Sequence, residues 1–107
     1  MQRTKILKDI KALLAKILPR EATAYIFGSQ ARGDYSEYSD WDLLILLNED
    51  RPLGIETRGS ISMPLYMLGA EIGIVINPIL YTNAEWEKRK FTPFYKNVVK
   101  DRVKIWG

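Results

Sequence analysis

A chain of 107 residues, with 47% apolar and 27% charged residues and a net charge of +3, predicts one small globular domain over residues 1–107. The sequence contains no cysteine and no histidine, which excludes disulfides and histidine-based acid–base chemistry and leaves oxygen atoms as the ligands for any metal. It has no apolar run approaching twenty residues and no signal-peptide pattern, so we expect a cytoplasmic protein without a membrane partner.

Apolar spacing and turn residues predict an α/β (α+β) fold, in which a small mixed β-sheet is flanked by helices. We expect helices over 3–18, 29–33, 55–70, 83–90 and from Thr92 onward, and strands over 24–27, 40–48 and 72–81. Pro64 predicts that the third helix is kinked or starts late, and Pro78 predicts an edge strand or a bulge. We expect Asn83 to cap the fourth helix. Residues 103–106 form either a short edge strand or a packed tail.

The most informative motif is Gly28-Ser29, followed after ten intervening residues by Asp40-Trp41-Asp42. A Gly-Ser turn at the end of a strand exposes backbone N–H groups and a hydroxyl, which are good partners for phosphate oxygens. Two aspartates at positions i and i+2 of a strand point to the same face. Such a carboxylate pair suits Mg²⁺ or Mn²⁺ shared with substrate phosphates. The motif therefore indicates nucleotidyl transfer.

Residues 27–34 (FGSQARGD) and 39–44 (SDWDLL) resemble the minimal nucleotidyltransferases of the DNA polymerase β superfamily. The order of elements from the first helix to Trp86 also follows that small fold. The resemblance implies that Gly28 and Ser29 bind a nucleoside triphosphate, and that Asp40 and Asp42 hold a divalent metal.

Arg32 matches an arginine that often follows the Gly-Ser turn in this superfamily. The resemblance implies that it holds phosphates or fixes the loop. Pairing with Asp34 or Asp40 is an equally good interpretation of the same residue.

The third carboxylate of the superfamily, which usually acts as the base for the incoming hydroxyl, falls on Asn77 in this chain. An asparagine can ligate a metal through its carbonyl oxygen but cannot accept a proton. Glu71 is the only nearby acid, six residues away. It is too far along an extended strand to replace the missing base unless the register differs.

The resemblance implies a Mg²⁺-dependent enzyme that transfers a nucleoside monophosphate, AMP from ATP, to an acceptor hydroxyl, with Asp40, Asp42 and Asn77 in the catalytic site. Small members of this group are often paired with a HEPN-domain toxin, and some adenylylate a tyrosine of that toxin. Asn77 favours an alternative, an inactive nucleotide-binding antitoxin that acts by contact alone. Transfer to a small molecule such as an aminoglycoside is a third hypothesis.

The C-terminal quarter is the most basic part of the chain. A basic surface can bind nucleic acid or can simply be solvated. The segment contains no recognised nucleic-acid module, so we expect a solvated surface and no direct, specific binding of nucleic acid.

Overall fold

A computed structural model describes residues 2–36 and 39–107 of the chain. Its elements, in chain order, are α1 (Arg3–Ile17), β1 (Thr23–Phe27), α2 (Ser29–Arg32), β2 (Trp41–Leu47), α3 (Ile55–Ile72), β3 (Ile76–Thr82), α4 (Asn83–Glu87), α5 (Pro93–Asp101) and β4 (Val103–Trp106).

The four strands form one mixed sheet in the order β3-β2-β1-β4. Strand β1 runs antiparallel to both β2 and β4, whereas β2 and β3 are parallel. A parallel pair needs a long crossover, which α3 supplies. The predicted mixed sheet is therefore confirmed, and residues 103–106 form an edge strand.

Helices cover both faces of the sheet, and β2 lies at its centre. Alternate residues of β2 pack on opposite sides: Leu43 and Ile45 belong to the cluster that contains the buried residues of α1 and α3, and Leu44 belongs to the cluster beneath α4 and α5. All three side chains are fully buried. This explains the almost continuous apolar run, because a strand covered on both faces has no solvent-facing position.

The boundary between α3 and β3 differs from the prediction. The helix begins at Ile55, includes Pro64 and ends at Ile72, so the third strand begins at Ile76 rather than at residue 72. Gly73 ends the helix in the left-handed conformation, with φ of 80°. The apolar run that resembled the start of a strand is thus the last helical turn and the connection that follows it.

Strand β3 passes directly into α4. Thr82, and not Asn83, is the N-cap: its hydroxyl accepts from the amide of Glu85, and the Glu85 carboxylate accepts from the amide of Thr82. This reciprocal arrangement is a capping box. Helix α4 ends at Glu87 and not near residue 90. Pro78 lies in β3, which is an edge strand as predicted.

Across the residues that the structure describes, no helix has the length and apolar character needed to cross a membrane.

Candidate active site

The two aspartates of the motif lie at the start of the central strand. Asp40 immediately precedes β2, and Asp42 is its second residue. In the sheet register Asp42 is opposite Phe27 of β1 on one side and Asn77 of β3 on the other. Paired residues of neighbouring strands direct their side chains to the same face. The register therefore places Asp42 and Asn77 side by side on the face covered by α4 and α5.

The side-chain amide of Asn77 joins the two carboxylates. Its Nδ2 donates to Oδ2 of Asp40 at 2.8 Å and to Oδ1 of Asp42 at 3.3 Å. Two carboxylates held this close repel each other, and a shared N–H donor offsets part of that repulsion. The structure thus brings together the three residues that the sequence selected as catalytic.

The Gly-Ser turn lies against the same carboxylates. Gly28 has φ of 73° and ψ of −154°, a conformation essentially limited to glycine. A Cβ on Gly28 would lie 2.5 Å from Oδ2 of Asp42, so the site has no room for a side chain there. Ser29 begins α2, and the first amides of a helix have no acceptor within it. The turn therefore presents N–H groups next to the carboxylate pair.

The electrostatic environment of Asp42 is consistent with a site built for a cation. Partial burial raises the pKa of the Asp42 carboxyl, and the charge of Asp40 raises it further. The hydrogen bond from Asn77 and the charge of Arg32 lower the pKa of Asp42. A positive charge near both carboxylates would relieve the cost of keeping Asp42 ionised.

The donor set fits a hard divalent cation. Asp40 and Asp42 offer carboxylate oxygens, and Asn77 carries an amide carbonyl that could add a third oxygen ligand. Within residues 2–36 and 39–107 there is no group of three or more acidic, histidine or cysteine side chains that could hold a metal. A cation bound here would take its other ligands from phosphates and water, as Mg²⁺ commonly does.

Arg32 connects the turn to α5. Its Nε donates to Oδ2 of Asp34 at 3.2 Å, and its Nη1 donates to Oδ2 of Asp101 at 3.4 Å. Of the two partners considered from the sequence, the structure shows Asp34 and not Asp40. The pairing with Asp101 has no signal in the sequence, because no local pattern links residues 69 positions apart.

The structure does not bring Glu71 to the carboxylates. Glu71 lies exposed in the last turn of α3, and α3 packs on the face of the sheet opposite Asp42. It cannot stand in for the missing third carboxylate from that position.

A mixed sheet that holds a Gly-Ser turn against an Asp-x-Asp pair defines a nucleotidyltransferase fold. Residues 4–105 match the nucleotidyltransferase domain family, and the chain belongs to this family. It is 31% identical over 102 residues to a protein of Methanocaldococcus jannaschii named "Putative protein adenylyltransferase", covering 94% of this chain and 95% of that protein.

Solved structures share the fold. A toxin–antitoxin complex with AMP-PNP aligns with a TM-score of 0.65 at 21% identity, over 94% of this chain and 73% of that one. A Shewanella oneidensis complex of a tri-AMPylated HEPN toxin with an MNT antitoxin aligns with a TM-score of 0.61 at 19% identity, over 99% of this chain and 73% of that one.

Proposed function

We propose that this nucleotidyltransferase transfers AMP from ATP to a hydroxyl group of a partner protein, with Mg²⁺ or Mn²⁺ as its cofactor. The observation that carries the proposal is the contact between the Gly28 turn and the Asp42 carboxylate. It brings the backbone of the turn and the carboxylate oxygens together at one point, as phosphates and a cation bound together require.

In this proposal the acceptor oxygen forms a bond to the α-phosphorus of ATP. The bond between that phosphorus and the oxygen that bridges the α- and β-phosphates breaks. Pyrophosphate leaves with the electron pair, and the acceptor hydroxyl loses its proton. The N–H groups of the turn and the hydroxyl of Ser29 bind phosphate oxygens. Arg32 adds positive charge and holds α2 against α5. Asp40 and Asp42 hold the cation, which neutralises developing phosphate charge when bound.

A group other than the side chain of Asn77 must accept the proton of the acceptor hydroxyl. An amide cannot accept it. We therefore propose that the partner protein supplies both the acceptor hydroxyl and the group that takes its proton.

A HEPN-type toxin is the proposed partner, and a tyrosine of that toxin is the proposed acceptor. Support comes from the AMPylated HEPN toxin in the Shewanella oneidensis complex and from the protein-adenylyltransferase name of the Methanocaldococcus jannaschii relative. AMP-PNP in another neighbour supports ATP as the donor. In this proposal the chain is an antitoxin that works in the cytoplasm.

Asn77 favours a second candidate, a nucleotide-binding antitoxin without transferase activity. Its amide already donates to both carboxylates, and these hydrogen bonds involve neither a metal nor a catalytic base. Such a protein would neutralise its partner by contact alone.

The experiment that separates the two candidates uses ATP labelled with ³²P at the α-position, Mg²⁺ and the product of the neighbouring gene. The first candidate predicts label on the partner. ATP labelled at the γ-position is the matched control and must leave the partner unlabelled, because pyrophosphate departs. A partner that is bound and inhibited but carries no label would favour the second candidate, and absence of both binding and label would contradict both.

A further inference from the structure

Arg3, in the first turn of α1, contacts both halves of the candidate site. Its Nη2 donates to the backbone carbonyl of Gln30 at 2.6 Å, in the helix that begins with Ser29. Its guanidinium also lies over the ring of Trp41, 5.5 Å from the centroid. Trp41 separates the two aspartates in the sequence and is 2% exposed. One side chain thus connects the Gly-Ser turn to the Asp-x-Asp strand.

Gln30 extends this connection to the first aspartate. It is 3% exposed, and its Nε2 donates to the carbonyl of Ser39 at 3.4 Å, one residue before Asp40. The guanidinium of Arg3 also lies 5.2 Å from the ring centroid of Tyr35, in the segment between the turn and the aspartates. The contacts of Arg3 and Gln30 therefore reach both ends of that segment.

The network includes two unpaired buried atoms. Nε of Arg3 and Oε1 of Gln30 are buried, and neither has a hydrogen-bond partner among the described residues. A buried polar atom without a hydrogen-bond partner destabilises the folded state. An apolar pair of similar size would fill the same space without these two unpaired atoms. Two polar side chains at such a position call for an explanation other than packing.

We infer that Arg3 is a positioning residue that sets the distance between the phosphate-binding turn and the carboxylate pair. Helix α1 is a firm base for this role, because Ile6 and Ile10 anchor it in the core. The planar guanidinium can donate to a carbonyl and lie on aromatic rings at the same time, and loses little freedom in doing so. The inference rests on the proposed function of the site.

The inference makes a specific claim about nucleotide binding. ATP without a divalent cation needs only the turn and its amides. ATP bound together with Mg²⁺ needs the turn and the carboxylates at a matched separation, because the phosphates and both aspartates contact one ion. The ratio of ATP affinity with Mg²⁺ to ATP affinity in EDTA therefore reports the separation that Arg3 sets.

The test compares Arg3→Met with Lys8→Met by calorimetric titration with ATP, in Mg²⁺ and in EDTA. Lys8 is exposed on the same helix, so its variant controls for the loss of one positive charge. For Arg3→Met we expect the affinity ratio to fall roughly tenfold, as for other groups that orient metal ligands. The affinity in EDTA should stay close to that of the wild type, and Lys8→Met should keep the wild-type ratio.

A second measurement needs neither metal nor nucleotide. The amide of Trp41 donates to the carbonyl of Val75 at 2.8 Å. In Arg3→Met without metal, hydrogen exchange at the Trp41 amide should become faster, whereas exchange at Leu44, deeper in the sheet, should not change. Arg3→Lys keeps the charge but loses the planar fork, so it should show a smaller change of the same kind. It also carries the test if Arg3→Met does not fold.

An unchanged affinity ratio in the Arg3 variant would overturn the inference. Such an unchanged ratio includes the case in which ATP binding weakens equally in Mg²⁺ and in EDTA, which is the result expected of a residue that only supports the fold. If the wild-type protein binds ATP equally well with and without Mg²⁺, the proposed function fails first, and the role of Arg3 fails with it.

Discussion

The backbone of Gly28 lies so close to the carboxylate of Asp42 that no side chain fits at position 28. A Cβ on Gly28 would lie 2.5 Å from Oδ2 of Asp42, and the φ of Gly28 is 73°. Gly33, at the end of α2, also has a positive φ of 88°, but no atom of the described residues lies within 4 Å of its Cβ position. Substitutions at the two glycines can therefore separate the effect of backbone strain on stability from the effect of contact with the site on ligand binding.

Replacing Gly28 with alanine should weaken nucleotide binding while the fold persists. The new methyl group must displace the Asp42 carboxylate, and the strained backbone should cost roughly 1–3 kcal/mol of unfolding free energy. We expect the affinity for ATP with Mg²⁺ to fall at least about tenfold, which corresponds to about 1.4 kcal/mol. Calorimetric titration and urea unfolding measure the two effects.

The matched control is Gly33→Ala, which should lose roughly 1–2 kcal/mol of unfolding free energy from left-handed strain alone. Its ATP affinity should remain close to that of the wild type. Normal ATP binding by Gly28→Ala would mean that the turn has only a structural role.

Metal binding should depend on the aspartate pair. The double variant Asp40→Asn/Asp42→Asn removes both negative charges from a site whose attraction for Mg²⁺ is mainly electrostatic. We expect the gain in ATP affinity on addition of Mg²⁺ to disappear in calorimetric titrations. The control is Glu49→Gln/Asp50→Asn, which removes two exposed acids just beyond the other end of β2. Equal effects of the two double variants would contradict the site assignment.

Local sequence patterns were sufficient to predict the central strand and the carboxylate pair. The apolar run of residues 43–47 required a strand covered on both faces, and the structure buries it between two layers of helices. The resemblance to the superfamily placed the third-carboxylate position at Asn77, and the register pairs this residue with Asp42. The central strand and the shared side of its two aspartates were predictable because the alternation of side chains along a strand is a local property.

The remaining features depend on contacts between distant parts of the chain. The sequence does not show whether the apolar residues near Ile72 continue a helix or begin a strand, because short apolar runs fit both. The packing of α3 on the sheet stabilises the helical conformation of these residues. The pairing of Arg32 with Asp101 and the contacts of Arg3 with Gln30 and Trp41 join residues far apart in the sequence, for which periodicity carries no information.

The capping box at the start of α4 predicts a pH dependence of stability. Hydrogen bonding from the backbone of Thr82 lowers the pKa of Glu85 below its ordinary value of 4.5. The folded state therefore favours the ionised form, so this contribution to stability is complete above pH 4.5 and is lost as the pH falls through the lowered pKa.

Replacing Glu85 with glutamine should reduce this pH dependence. Glutamine can still accept the hydrogen bond of a capping box but does not titrate. Urea unfolding should show the wild type to be the more stable protein at pH 7, and the difference should shrink below pH 4.5, the ordinary value for this carboxyl. Glu87→Gln, at an exposed position paired only with Lys90 among the described residues, is the control and should show a much smaller change. A difference that persists unchanged at low pH would contradict the prediction.

Asn77→Asp tests whether this strand position is that of a missing catalytic base. The variant replaces an amide that donates to Asp40 at 2.8 Å and to Asp42 at 3.3 Å with a third carboxylate. Without metal, three neighbouring negative charges should lower the melting temperature. Addition of Mg²⁺ should raise that temperature more than it does for the wild type, because a more negative site binds the cation more tightly and binding stabilises the folded state.

The matched control for this variant is Asn48→Asp at the other end of β2. Asn48 donates to the Glu21 carboxylate at 2.6 Å, so its variant also places one carboxylate against another. It too should melt at a lower temperature, but Mg²⁺ should restore much less of its stability, because residues 48–50 lie beyond the end of β2 and are not held on one face of the sheet. If the position is that of the base, transfer of labelled AMP to the partner should increase at least about tenfold in Asn77→Asp, since general bases contribute factors of roughly 10²–10⁴. A variant that gains Mg²⁺-dependent stability without faster transfer would mean that the partner already supplies the base, and one that gains neither would contradict a metal-site role for position 77.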